Sequence, residues 1–175
     1  MVPEYVPPTL EKLGIPGFRI PMLFREHDGT YADPKRYPRL SLAQPATHDH
    51  TPIALLWNDC WTNIDAGESV DHNRAELRRM MQFAGLGHEE PPREFNSRVH
   101  EAFTRVVMKS NSWLAVFQVQ DVFGQTARFN VPGSTSDANW SARMEQTVKQ
   151  LDADKSLLAK TEMLSRLAKQ AGRRI

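Results

Sequence analysis

The sequence predicts an α/β chain built around a parallel sheet. Three observations carry this. Extended apolar stretches alternate with helical stripes along the 175 residues, in the order strand, helix, strand, helices, strand, helices. Residues 113–119 are apolar on both faces, as strands of covered parallel sheets are. The prolines are lopsided: nine of the twelve lie before residue 53, so the first third is built from short strands and ordered loops.

Taken in order, the elements begin with a short helix over 9–13, capped by Thr9 and ended by Gly14. Phe18, Ile20, Met22 and Phe24 then alternate, so a strand is predicted over 17–24, with Pro21 keeping it from a central position. A polar loop over 25–39 carries a turn signal at Asp28-Gly29. Residues 40–46 form a second, weaker strand and lead into Thr47-His48-Asp49-His50-Thr51-Pro52. Thr51 suits an N-cap and Pro52 the first helical position. The helix beyond them carries Ile53, Leu56, Trp57, Cys60 and Ile64 on one stripe.

Two more helices follow. One spans about 71–84, with Leu77, Met80, Met81 and Ala84 on its apolar side. The other starts after Pro91-Pro92 and carries Phe95, Val99, Ala102, Phe103 and Val106. Residues 113–119 are the best strand in the chain, and 120–124 end it. A polar stretch over 129–137 precedes Asn139-Trp140, after which one long or two short helices are predicted, striped by Val148, Leu151, Leu157, Leu158, Leu164, Leu167 and Ala171. Lys169, Arg173 and Arg174 suit the negative end of a helix dipole.

Twenty-two basic and 21 acidic side chains leave a formal net charge of +1. So balanced a chain has no field for nucleic acid or an acidic membrane surface. The single cysteine, Cys60, excludes an internal disulfide framework and a CxxC zinc or redox motif; on its apolar stripe it reads as a small buried hydrophobe. No signal peptide and no membrane-length apolar run is legible, so the expected location is the cytoplasm. Three parallel strands would leave two long apolar edges, which soluble proteins avoid, and this points to a part of something larger.

The chemistry-bearing residues cluster in two places. His48-Asp49-His50 lies where a strand hands over to a helix, the position at which α/β barrels keep their catalytic groups. A carboxylate there accepts hydroxyl hydrogens and a neutral imidazole donates one; the plainer alternative is a polar connection in which Asp49 or Thr51 caps. His48 and His50 could also open a metal site, but no partner ligands are evident, so a small metal-dependent hydrolase is the weaker alternative. The second cluster is 130–135, rich in Asn, Gly, Ser and Thr, which serve equally in turns and in carbohydrate subsites. Trp57, Trp61 and Trp113 fit core stripes, whereas Trp140 is the one open to a surface or site role. Arg78-Arg79 and Arg173-Arg174 read as solvated helix faces.

Five segments in order, Leu13-Gly14-Ile15-Pro16-Gly17, Thr47-His48-Asp49 with Pro52, Gln120-Asp121-Val122-Phe123-Gly124, Asn130-Val131-Pro132-Gly133-Ser134 and Asn139-Trp140, resemble the C-terminal portion of the 4-α-glucanotransferases, the amylomaltases or disproportionating enzymes. The resemblance covers about residues 2–172. It implies a (β/α)8 TIM barrel of the α-amylase clan, with the three strands as its sixth, seventh and eighth. Residues 1–137 would then hold these strands and their helices, and 138–175 the C-terminal helices.

By the same resemblance, family members transfer α-1,4-glucan segments between maltooligosaccharides by a retaining mechanism, with no cofactor and no metal. Asp49 matches the carboxylate that stabilises the transition state, and His48 the hydroxyl-binding histidine. Asn130 and Gly133 match a loop that closes near the site. The nucleophile Asp and the acid/base Glu lie on strands four and five in the family, so neither is expected within these 175 residues, and the chain alone is expected to be inactive. His50-Thr51 and Ser141-Ala142 depart from the usual residues after the two motifs. The expected partners are an α-1,4-glucan, the N-terminal part of the barrel and a second copy through the open edges. A non-catalytic half of a split enzyme, or a glucan-binding module, is the alternative.

Overall fold

A computed structural model describes residues 3–144 and 146–174. Three strands, β1 (Gly17–Arg19), β2 (Ser41–Ala43) and β3 (Leu114–Ala115), form one parallel sheet in chain order. Gly17 pairs with Ser41 and Arg19 with Ala43, while Leu42 pairs with Leu114. Flanking backbone bonds prolong the ladders, from Gln44 N–H to the Arg19 carbonyl and from Val116 N–H to the Ala43 carbonyl.

All three strands are shorter than predicted, for local reasons. Pro21 turns the expected 17–24 strand into a 3-10 turn over Pro21–Leu23, because it has no N–H to give a ladder. The 40–46 strand stops at Ala43, just before Pro45. The expected 113–119 strand keeps two residues, and Val119–Phe123 is a helix, α5, where an end-of-strand segment was predicted. Trp113 is a correction too: it is 53% exposed rather than packed in the core. As the edge strand of a three-stranded sheet, β3 turns only part of its apolar surface toward the helices, and Trp113, Leu114 and Val116 stay exposed.

The helices fall near their predicted places: α1 (Val6–Lys12), α2 (Ile53–Asp65), α3 (Val70–Phe83), α4 (Ser97–Met108) and two C-terminal helices, α6 (Val148–Ala153) and α7 (Lys155–Gln170). Pro7 and Pro8 start α1 earlier than Thr9, since proline fits a first turn. Pro52 itself occupies the N-cap of α2, and Thr51 lies outside it.

The core lies between the sheet and α2, α3 and α4. Trp57, Leu77, Met80, Met81, Val99, Phe103 and Val107 close over Ala43, Tyr31 and Tyr37. Trp57 and Trp61 share the Pro92 carbonyl as acceptor, at 3.2 and 3.0 Å, which ties the loop before α4 to α2. Cys60 is buried, and burial pushes its thiol up to about 11.

Two arginines read as solvated are structural. Arg173 donates to the carbonyls of Met108, Ser110, Ser112 and Trp113 at 2.6–3.0 Å, pinning the chain after α7 to the approach of β3. Arg79 joins Arg25 and Tyr31 around the buried Glu76 carboxylate, with contacts of 2.8, 3.0 and 2.5 Å. Burial alone would push the Glu76 carboxyl up, but these donors more than offset it and hold it below the usual range.

Candidate functional site

The predicted His48-Asp49-His50 segment forms a tight turn between β2 and α2. His50 N–H donates to the Thr47 carbonyl at 2.9 Å and Asp49 N–H to Thr47 Oγ1 at 3.2 Å. Thr47 Oγ1 also lies 2.6 Å from His50 Nδ1. Thr47 thus spends its hydroxyl folding the turn, and His48 and Asp49 are the two side chains displayed. They are half-exposed, at 58% and 48%, with His48 Nε2 3.3 Å from Asp49 Oδ2.

The second predicted cluster arrives at the same place. Asn130 Nδ2 donates to Asp49 Oδ1 at 2.7 Å, across 81 residues of chain. Asn130 is 9% exposed, so its amide is fixed by its surroundings and aims at the carboxylate. Arg128 makes a second tie that sequence reasoning missed. Its guanidinium donates to the Asn130 carbonyl at 2.9 Å, to Thr51 Oγ1 at 3.2 Å and to the Asp49 carbonyl at 3.3 Å. A basic residue two places before Asn130 was the available signal; only the fold puts it against the 47–51 turn.

The 129–140 loop is closed on itself by Asn139. Its carboxamide oxygen accepts from Val131 N–H at 3.0 Å, and its NH2 reaches the Ser134 carbonyl and hydroxyl at 3.1 and 2.9 Å. Trp140 N–H donates to the Phe129 carbonyl at 2.7 Å. This closure holds Trp140 at φ 63, a left-handed conformation that costs a tryptophan about 1–2 kcal/mol. The exposed Trp140 ring lies 5.2 Å from the His48 ring, tilted by 50°. Gly133 sits at the exposed loop tip with φ 76, where a side chain would be strained.

The structure therefore brings His48, Asp49, Asn130 and Trp140 together and leaves Gly133 at the rim. A carboxylate with one oxygen steadied by an amide, an imidazole at its side and an open aromatic face form a polar surface patch that suits hydroxyl groups on a ring. His50 is turned to Thr47 rather than toward His48. Among the described residues no three His, Cys, Asp or Glu side chains gather as metal ligands. No helix among them is long and apolar enough to cross a membrane.

Comparison with known proteins points one way. A family model described as 4-alpha-glucanotransferase matches residues 1–149. The 4-alpha-glucanotransferase of Chlamydia muridarum is 27% identical over 168 residues, covering 89% of this chain and 29% of that protein. The enzyme of Chlamydia caviae is 29% identical, covering 86% and 28%. Among solved structures, the amylomaltase of Streptococcus agalactiae in complex with acarbose superposes with a TM-score of 0.69 at 21% identity, over 100% of this chain and 31% of that one. The Corynebacterium glutamicum amylomaltase gives 0.71 at 16% identity, over 96% and 27%. The chain spans less than a third of the length of these relatives. With a family model matching most of its residues, the chain belongs to the 4-alpha-glucanotransferase family.

Proposed function

We propose that this chain supplies the sugar-gripping side of a 4-α-glucanotransferase active site, with Asp49 as the carboxylate that stabilises the transition state. The observation that carries the reading is the Asp49–Asn130 hydrogen bond at the C-terminal end of β2, in a chain matched by the family model. The sheet is read as strands six to eight of a (β/α)8 barrel, with 1–137 carrying those strands and 138–175 the helices packed outside. Barrel enzymes place their chemistry at the C-terminal ends of the strands, where the 47–51 turn and the 129–140 loop lie.

Each side chain has a distinct task in this reading. Asn130 occupies one lone pair of Asp49 Oδ1 and leaves the remaining acceptors for sugar hydroxyls. His48 hydrogen-bonds a neighbouring hydroxyl, Trp140 meets the apolar face of a ring, and Gly133 lets the loop backbone approach the glucan. In a retaining transfer the sugar becomes oxocarbenium-like, and a fixed carboxylate stabilises that positive charge. Bond cleavage further needs a nucleophile and an acid/base roughly 5 Å apart. By family resemblance those belong to strands four and five, so neither is expected within residues 1–175.

The substrate is thus an α-1,4-glucan or maltooligosaccharide handled in the cytoplasm, and the partner is the N-terminal part of the barrel. The test is maltotriose disproportionation. Residues 1–175 alone are expected to release no glucose. Release on adding the missing barrel half identifies a split enzyme, and robust turnover by the chain alone refutes the assignment.

A further inference from the structure

The α2 helix begins without a cap of its own. Its N-cap is Pro52, which has no side-chain donor or acceptor, and no side chain of the 47–52 turn reaches the first helical amide. That amide belongs to Ile53, which is buried, so leaving it unpaired would cost about 1–3 kcal/mol. The acceptor comes from elsewhere: Ile53 N–H donates to Asp121 Oδ1 at 3.2 Å, across 68 residues.

Asp121 is itself held firmly. It lies in α5 and is 6% exposed. Gln118 Nε2 approaches its Oδ2 at 3.4 Å. From α4, His100 Nε2 lies 2.7 Å from the Asp121 carbonyl oxygen, and from α7, Lys160 Nζ lies 3.1 Å from His100 Nδ1. Gly124, which ends α5 in a left-handed conformation, packs against the His100 ring; a Cβ there would stand 3.6 Å from Nδ1. The helix after β3 is therefore anchored from two sides and carries one carboxylate to the helix after β2.

We propose that Asp121 is a positioning residue, which fixes the Thr47–Asp49 turn from behind by capping α2 while Arg128 and Asn130 fix it from the front. The proposal rests on reading Asp49 as the sugar-gripping group. Only three residues separate Asp49 from Ile53, and Thr51 between them is tied to Arg128, so a shift of the α2 start displaces the carboxylate. Burial pushes the Asp121 carboxyl up to about 6, against its bonds from Ile53 and Gln118. An ionised carboxylate kept at such a position weakens the fold at neutral pH. Its return lies in the placement of the turn.

The experiment is amide NMR of the full 175-residue chain, with Asp121→Asn and Asp121→Leu. In the wild type the Ile53 amide proton is expected to move downfield as pH rises through about 6, following the Asp121 carboxyl. Asp121→Asn, whose side-chain oxygen still accepts, should abolish that transition and leave the Asn130 side-chain amide and Trp140 indole signals in place. Asp121→Leu should displace both, with the α3 amides of Leu77 and Met80 unmoved. An Ile53 amide shift that is the same in the wild type and in Asp121→Asn at pH 7, where carboxylate and carboxamide acceptors differ, overturns the proposal even if Asp121→Leu fails to fold. So does persistence of its transition in Asp121→Asn, which would assign it to His100, or an unmoved Asn130 signal in Asp121→Leu. These signals report the positioning whether or not the chain binds glucan.

Discussion

Asn130 and Asp49 meet at 2.7 Å although 81 residues separate them, and their hydrogen bond joins the two segments that follow β2 and β3. Asn130→Leu keeps the branched outline, though it is bulkier, and removes the donor. Because the Asp49 side chain is half-exposed, the expected loss of stability is small, about 1 kcal/mol. Asn130→Asp goes further, since two carboxylates then face one another. That variant should be less stable than the wild type at pH 7 and recover toward it near pH 4, where one carboxyl is protonated. Thermal denaturation across pH checks both; an Asp variant with a pH-independent deficit would show that the two groups are not in contact.

Glu76 makes the opposite use of a carboxylate. It lies beneath Arg25, Arg79 and Tyr31, and its carboxyl is held below the ordinary range. Glu76→Ala leaves two arginines without their anion and should cost about 3–5 kcal/mol. The sign with pH follows from the lowered value. The contribution is complete above the ordinary Glu value near 4.3 and is lost as pH falls through the folded value. Urea denaturation at pH 7 and pH 3 should show the gap between wild type and variant shrinking in acid.

Asp121 has the reverse sign. Its folded value, near 6, lies above the ordinary 3.8. The folded chain therefore holds the proton more tightly than the unfolded one, and stability falls as pH rises from about 4 to about 6. Relative to Asp121→Asn, the wild type should lose up to about 3 kcal/mol across that window. A constant difference between the two would contradict the burial of this carboxyl.

The strand edges predict association. Phe18 on β1 is 58% exposed and Leu114 on β3 is 38% exposed, and neither strand has a partner on its outer side among the described residues. Purified residues 1–175 should sediment as dimers or larger species, and a stable monomer at tens of micromolar would refute this.

The helices were legible because their periodicity is local. The stripes of α2, α3 and α4 appear in the sequence and meet in the core, as with Trp57, Leu77 and Phe103. Strand lengths were not, because a strand's extent depends on what lies beside it and on single prolines such as Pro21. At the site, His48-Asp49 and Asn130 were legible as motifs, and Trp140 as an aromatic without a core stripe. The contacts of Arg128, Asp121 and Arg173 were not, although Asp121 stands in a quoted motif, since each acts on backbone or side chains 60 or more residues away. Such contacts leave no mark in spacing.

The central claim is that Asp49 serves a glucan-transferring site. Its most direct test is glucose release from maltotriose by a chimera in which residues 1–149 replace the matching part of the Streptococcus agalactiae amylomaltase. Asp49→Asn should lower kcat by about 10²–10³, while Asp71→Asn, exposed in the first turn of α3, leaves it unchanged. An Asp49→Asn chimera as fast as its parent would contradict the account.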